Sequence, residues 1–163
     1  MTVNEIVFEI TSCLAQQNAL IEELIKTGQK QVDGLKADIF HEIVDSINNQ
    51  EKLGKQLALL EKQRLGLVRQ LGQVIGKRDL KIKEIAKLAS PDQRQQLDEL
   101  TENIIMNQQK LQEINNLAAL LLKQSLNYTQ KVLQCLQPRE QKTYDSTGQL
   151  EQAAKINVIN WSI

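Results

Sequence analysis

The chain has 163 residues, with 20 basic and 20 acidic side chains, 41% hydrophobic residues and 3% aromatic ones. A net charge of zero with no basic stripe argues against a nucleic-acid partner, and no apolar run reaches membrane-spanning length. Seven glycines and two prolines leave few breaks, which suits long helices and argues against a sandwich or barrel.

The first helix is predicted from residue 3 to about residue 33. Thr2-Val3-Asn4-Glu5 has the form of a capping box. Val3, Val7, Ile10, Leu14, Ile21, Leu24 and Leu35 recur at helical spacing, with Gln17 as a polar interruption, Gly28 on the same stripe and Gly34 as a stop. Asp38 is a candidate cap for a second helix from residue 39 to about residue 75. Its seam reads Ile39, Ile43, Ser46, Gln50, Leu53, Leu57, Leu60, Arg64, Leu67, Leu71 and Val74 in 3-4 alternation. The polar positions, Ser46 to Gln50 and Arg64, either fix register or mark a solvated stretch. Gly76 ends this helix. Residues 79–89 form a short helical connector, with Leu80, Ile82, Ile85 and Leu88 placed to cover one end of a bundle.

A third long helix is predicted over 90–136. Ser90-Pro91-Asp92-Gln93 is a helix start, and no Gly or Pro follows until Pro138. Positions 97, 100, 104, 107, 111, 114, 118, 121, 125, 128, 132 and 135 keep a strict 3-4 alternation, polar only at Asn107 and Ser125. Such a helix would be about 70 Å long. From Leu117 onward a second apolar row appears: Leu117, Leu120, Leu122, Leu126, Leu133 and Leu136. Two rows exceed what one partner helix covers, so the second row is either further core or a face for a partner's amphipathic helix. The expected fold is all-α: an elongated antiparallel helical hairpin or coiled-coil bundle of three long helices with a short connecting helix. Residues 1–137 form the bundle domain and 138–163 a flexible C-terminal tail. Trp161 in that tail either folds back or anchors to a partner, and the alternating Ile156–Ile163 segment has no second strand to pair with.

Little in the chain points to catalysis. His41 is the only histidine and stands beside Phe40 and Glu42 without an evident base or nucleophile partner. No HExxH, P-loop, GxGxxG or inward Glu-x-x-His pattern occurs, so neither enzyme chemistry nor a cofactor or metal is expected. Glu22, Glu23 and Lys26, and Glu61, Lys62 and Arg64, read as solvated faces with intrahelical pairing. Cys13 and Cys135 read as small buried apolar residues. With no secretory signal at Met1–Glu5 and no disulfide framework, a cytoplasmic setting is expected.

The layout resembles the FlgN family of flagellar type III export chaperones. Two long helices precede a connector and a third long helix. Leu121-Leu122-Lys123-Gln124-Ser125-Leu126-Asn127-Tyr128 is similar to the family's Leu-Leu-x-x-Ser-Leu stretch, and Thr143-Tyr144-Asp145-Ser146-Thr147-Gly148 is similar to its Tyr-Asp-x-x-Gly segment. The resemblance implies a non-enzymatic chaperone. It would bind the C-terminal helical regions of hook-filament junction proteins, prevent their premature assembly and deliver them to the export gate. It places client binding on Leu117, Leu120, Leu121, Leu122, Ser125, Leu126, Leu133 and Leu136, and export-gate contact on Tyr144, Asp145 and Gly148. The seams also admit a homodimer, and the competing reading is a structural or adaptor coiled coil that forms a constitutive homo-oligomer.

Overall fold

The computed structural model describes residues 2–78 and 80–136. Among them the chain is all-α: α1 is Val3–Ala37, α2 Phe40–Ile75, α3 Ile82–Leu88 and α4 Pro91–Leu136. The chain divides into two units, Met1–Lys123 and Gln124–Ile163, and the second is described as far as Leu136. The boundary expected at 137/138, the tail beyond it and its residues Tyr144, Asp145, Gly148 and Trp161 lie outside the described residues.

The central element of the first unit is α1. It opens on the expected capping box, in which the Thr2 hydroxyl accepts from the Glu5 amide at 3.3 Å and the Glu5 carboxylate accepts from the Thr2 amide at 2.8 Å. Val7, Ile10, Leu14, Gln17, Ile21, Leu24, Gly28, Gln31 and Leu35 form an unbroken buried row. Ile6, Cys13 and Gly34 are buried on one flank of that row, and Thr11 and Val32 on the other. A stripe of this width serves two partner helices.

The pairings fix the directions. Gln17 meets Glu61, Gln31 meets Gln50 and Gly34 meets Ile43, so α2 runs antiparallel to α1. Asn18 meets Asn107, Gly28 meets Ile114 and Val32 clusters with Ala118, so α4 runs parallel to α1. Between α2 and α4 the chain reverses through α3. There Ile85 and Ala86 join Ile6, Val7, Ile10, Leu14, Leu71 and Leu97 in one core cluster. Val32, Leu35, Ile114 and Ala118 form a second, with Ile25, Ile43 and Leu121 packed against it.

Several sequence expectations change. Gly34 does not stop α1. It lies inside the helix, where an added Cβ would stand 3.3 Å from both Glu42 and Ile43. The left-handed residue is Asp38, with φ 54°, whose amide donates to the Gly34 carbonyl. Asp38 therefore closes α1 and does not cap α2, which starts after Ile39 without a side-chain cap. Asp tolerates this conformation better than most residues because its short polar side chain can bond locally. Gly76 ends α2 as expected, also left-handed. The α2 seam steps by four at its end: Ile75 packs on the core and Val74 is exposed, as expected when a 3.6-residue helix drifts off a 3.5-residue seam. At the connector Leu80, Ile82 and Ile85 cover the core as expected, but Leu88 is exposed and Ala86 and Ala89 pack instead. Cys13 is buried, whereas Cys135 is exposed.

The polar positions of the α1–α2 seam are inside the interface. Gln50 donates to Gln31 at 2.8 Å and Ser46 is buried. Gln17 donates to the Glu61 carboxylate at 2.9 Å, and Arg64 clamps the same carboxylate with two bonds at 2.8 and 2.6 Å. Arg64 is thus half-buried and not the solvated residue expected, while Glu23 and Lys26 are an exposed pair as expected. The Arg64 guanidinium holds the Glu61 carboxyl below its ordinary value, aided by Gln17 and opposed by burial. Burial first, then the Glu9 carboxylate, raises the Cys13 thiol, opposed by the Arg64 guanidinium.

Two outcomes are expected. At Gly28 an added Cβ would fall 2.8 Å from the stiff Ile114 Cγ2, whereas at Gly54 it would meet nothing within 4 Å. Gly28→Ala should lower urea-measured stability by about 1–3 kcal/mol through overpacking, and Gly54→Ala should raise it by about 0.5–1 kcal/mol through helix propensity. Because the Glu61 pKa is depressed in the fold, its contribution is full above the unfolded value near 4.5 and is lost as pH falls below it. Glu61→Gln should therefore flatten the fall in stability below about pH 5. Its loss at neutral pH should be on the order of 1 kcal/mol or less, because the carboxylate is partly solvated.

Candidate functional site

The face of interest lies on α4. The helix begins with the expected reciprocal cap: Gln93 accepts from the Ser90 amide at 3.3 Å and the Ser90 hydroxyl accepts from the Gln93 amide at 3.4 Å. Its first apolar row then follows the predicted 3-4 alternation into the bundle. Leu97, Ile114 and Ala118 are buried, and Leu100, Ile104, Asn107, Leu111 and Leu121 are half-buried. The polar member, Asn107, donates to Asn18 on α1 at 2.9 Å, so it is satisfied across the interface.

Leu121 is the last residue of this row to be sheltered, and every residue from Leu122 to Leu136 is exposed. The seam itself continues in sequence through Ser125, Tyr128, Val132 and Cys135, with Tyr128 72% exposed. The leucines expected as a second row are also open, but on the helix they divide, Leu117 and Leu120 on one flank of the seam and Leu122, Leu126, Leu133 and Leu136 on the other. Leu117 and Leu122 are exposed at 39% and 42%, Leu120 and Leu133 at 52% and 56%, and Leu126 and Leu136 at 62% and 73%. The sequence-derived candidates therefore divide. Leu117, Leu120, Leu122, Ser125, Leu126, Leu133 and Leu136 are surface residues, whereas Leu121 packs against the Val32–Leu35–Ile114–Ala118 cluster.

The chemistry of this face is uniform. From Ile114 to Leu136 the only charged residues are Lys123 and Lys131, and the spaces between leucines hold Asn115, Asn116, Gln124, Asn127, Gln130 and Gln134. A face of leucines flanked by amides takes an apolar stripe and bonds to backbone or side chains of either polarity. Scattered exposed leucines are ordinary; here the seam beyond Leu121 and the leucines on both of its flanks are open together, which makes this end of α4 the candidate surface. Other exposed apolar residues, Phe8, Ile105 and Met106 among them, carry no pattern in the sequence that sets them apart from core. Among the described residues no helix is long and apolar enough to cross a membrane, and no cluster of His, Cys, Asp or Glu could hold a metal ion.

No significant match to the chain is found among curated proteins or among solved structures. The family model described as FlgN protein matches residues 1–152, a span that holds all four helices, the Leu121–Tyr128 stretch and the Thr143–Gly148 segment. The chain belongs to the FlgN family.

Proposed function

We propose that this flagellar export chaperone binds the C-terminal helical regions of hook-filament junction proteins along the exposed face of α4, prevents their premature assembly and hands them to the export gate. The observation that carries this reading is the set of open leucines, Leu117, Leu120, Leu122, Leu126, Leu133 and Leu136, on a helix whose first row is already used by α1 up to Leu121. Leu122, Leu126, Leu133 and Leu136 share one stripe of about 20 Å, long enough for about four turns of an amphipathic client helix to lie along it. An interface of about 1,200–2,000 Å² would suffice for specific binding.

In this reading the client's apolar stripe, which would otherwise self-associate, is covered by leucines, and the amide side chains satisfy its polar flanks. Ordering the client costs conformational entropy, which keeps affinity moderate and release feasible. Release comes from handover, with no catalysis or cofactor. Tyr144, Asp145 and Gly148 are assigned to export-gate contact, and the cytoplasm is the place of work.

The test is calorimetric titration of the full-length protein with the C-terminal segment of a hook-filament junction protein. Binding at about micromolar Kd or tighter is expected. Leu122→Asp plus Leu126→Asp should weaken it at least about tenfold while leaving helicity unchanged, because both side chains are exposed. Leu121→Asp is the wrong probe, since it buries a charge against the Val32–Ala118 cluster and destabilises the bundle. Undiminished binding by the double variant would move the site off this face. A stable oligomer that ignores the client would favour a structural coiled coil.

A further inference from the structure

The end of α2 carries a second, chemically different surface. Gly76 is left-handed, and the chain folds back so that the Lys77 amide donates to the Gly72 carbonyl at 2.9 Å. The approach is close enough that a Cβ on Gly72 would fall 2.5 Å from the Lys77 carbonyl oxygen, so no larger residue fits there. The returning segment lies beside α2 and leaves an open groove of about 830 Å³ between them. Leu65, Val68 and Leu80 give it an apolar floor, and Leu65 is 41% exposed.

The rim is cationic. Arg69, Arg78 and Lys81 line the groove with no hydrogen bond or ion pair of their own side chains to the described residues, and no carboxylate lines it among those residues. Lys77 also lines it, but its ammonium is held by Glu84, whose carboxylate also accepts from the Lys81 amide. In a chain of zero net charge, four of the ten described residues that line the groove are basic. In sequence the 79–89 stretch is expected to cover the bundle end, and the further signal of this region is the recurrence of Lys or Arg at 77, 78, 81, 83 and 87.

We propose that this groove is a docking site for an acidic amphipathic helix of a protein partner, with apolar side chains seated on Leu65, Val68 and Leu80 and carboxylates facing Arg69, Arg78 and Lys81. Charge complementarity selects the sign of the partner. The apolar floor selects its amphipathicity, and the roughly 17 Å run of α2 from Leu65 to Gly76 matches about three helical turns. Nucleic acid fits less well, because no aromatic residue lines the groove to stack a base. An anionic membrane fits less well, because among the described residues only three with apolar side chains, Leu65, Val68 and Leu80, line the groove, and Val68 and Leu80 also pack against the core, whereas membrane insertion needs a projecting apolar face. The groove is separate from the leucine rows of α4 and does not depend on the client reading.

The experiment is fluorescence anisotropy of the full-length protein with a labelled synthetic helix of leucines at i, i+3, i+4 and i+7 flanked by glutamates. A control peptide has lysine in place of each glutamate. The acidic peptide should bind at least about tenfold tighter than the basic one, and raising salt from about 50 to about 300 mM should weaken it. Arg69→Glu plus Arg78→Glu should abolish that preference, and Leu65→Ser should weaken binding with the salt dependence retained. In the Leu122→Asp plus Leu126→Asp background, where the α4 face no longer contributes to binding either peptide, the preference for the acidic peptide should persist. Equal binding of both peptides, or full binding by the Arg69→Glu plus Arg78→Glu variant, overturns the proposal. So does a protein that ignores the acidic peptide yet binds phosphatidylserine vesicles through the same arginines.

Discussion

α1 must satisfy two long helices at once, and that requirement sets the geometry of the first unit. One buried row runs from Val7 to Leu35, and buried residues flank it on both sides. Two positions show how closely the partners approach. Gly28 faces Ile114 of α4, and Gly34 faces Glu42 and Ile43 of α2. Glycine inside a helix costs about 1 kcal/mol relative to alanine, and here that cost is offset by the packing that the missing side chains allow. The same helix thus uses one glycine to set its distance from each neighbour. Because α4 docks by its first row, the leucines on its flanks are left over.

Polar residues in these seams specify as much as they stabilise. Asn18–Asn107, Gln31–Gln50 and the Gln17–Glu61–Arg64 cluster each join one level of α1 to one level of a partner. A slip by one turn would leave these groups facing leucine or isoleucine with their hydrogen bonds unmade, at about 1–3 kcal/mol for each buried group. Apolar 3-4 seams alone tolerate such slips, since one heptad resembles the next. Register in this bundle is therefore written in amides and the one carboxylate that Gln17 meets, while affinity between helices is written in leucine and isoleucine.

The parts of the fold that were legible in the sequence were those governed by periodicity and by local capping. Thr2–Glu5 and Ser90–Gln93 form the caps their spacing predicts, and the α4 seam follows its expected positions down to Leu121. What periodicity cannot report is which neighbour occupies a face. Gly34 has the composition of a helix stop, yet it is a contact point inside α1, and the turn fell to Asp38 four residues later. Cys135 lies on the same arithmetic seam as Ile114 but is exposed, because a seam is only a promise of burial until a partner is present. Leu121 belongs to both the family-like motif and the packed row, and only coordinates separate those roles. The basic groove was hidden for a related reason: its residues come from α2 and from the turn after it, and the fold-back at Gly72 brings them together.

The hairpin turn has a consequence for the order of folding. Only Asp38 and Ile39 separate α1 from α2, so closing that pair costs little loop entropy, and the hairpin forms on contacts that are local in the chain. α4 joins later, through contacts separated by more than 80 residues, such as Asn18 with Asn107. During synthesis the flank of α1 that awaits α4 is therefore uncovered while the ribosome completes the rest. That flank carries Thr11 and Asn18 in its first half and becomes aliphatic only at Ile25 and Val32. An emerging hairpin with a half-polar waiting edge is less prone to associate with its neighbours on a polysome than one edged wholly in leucine.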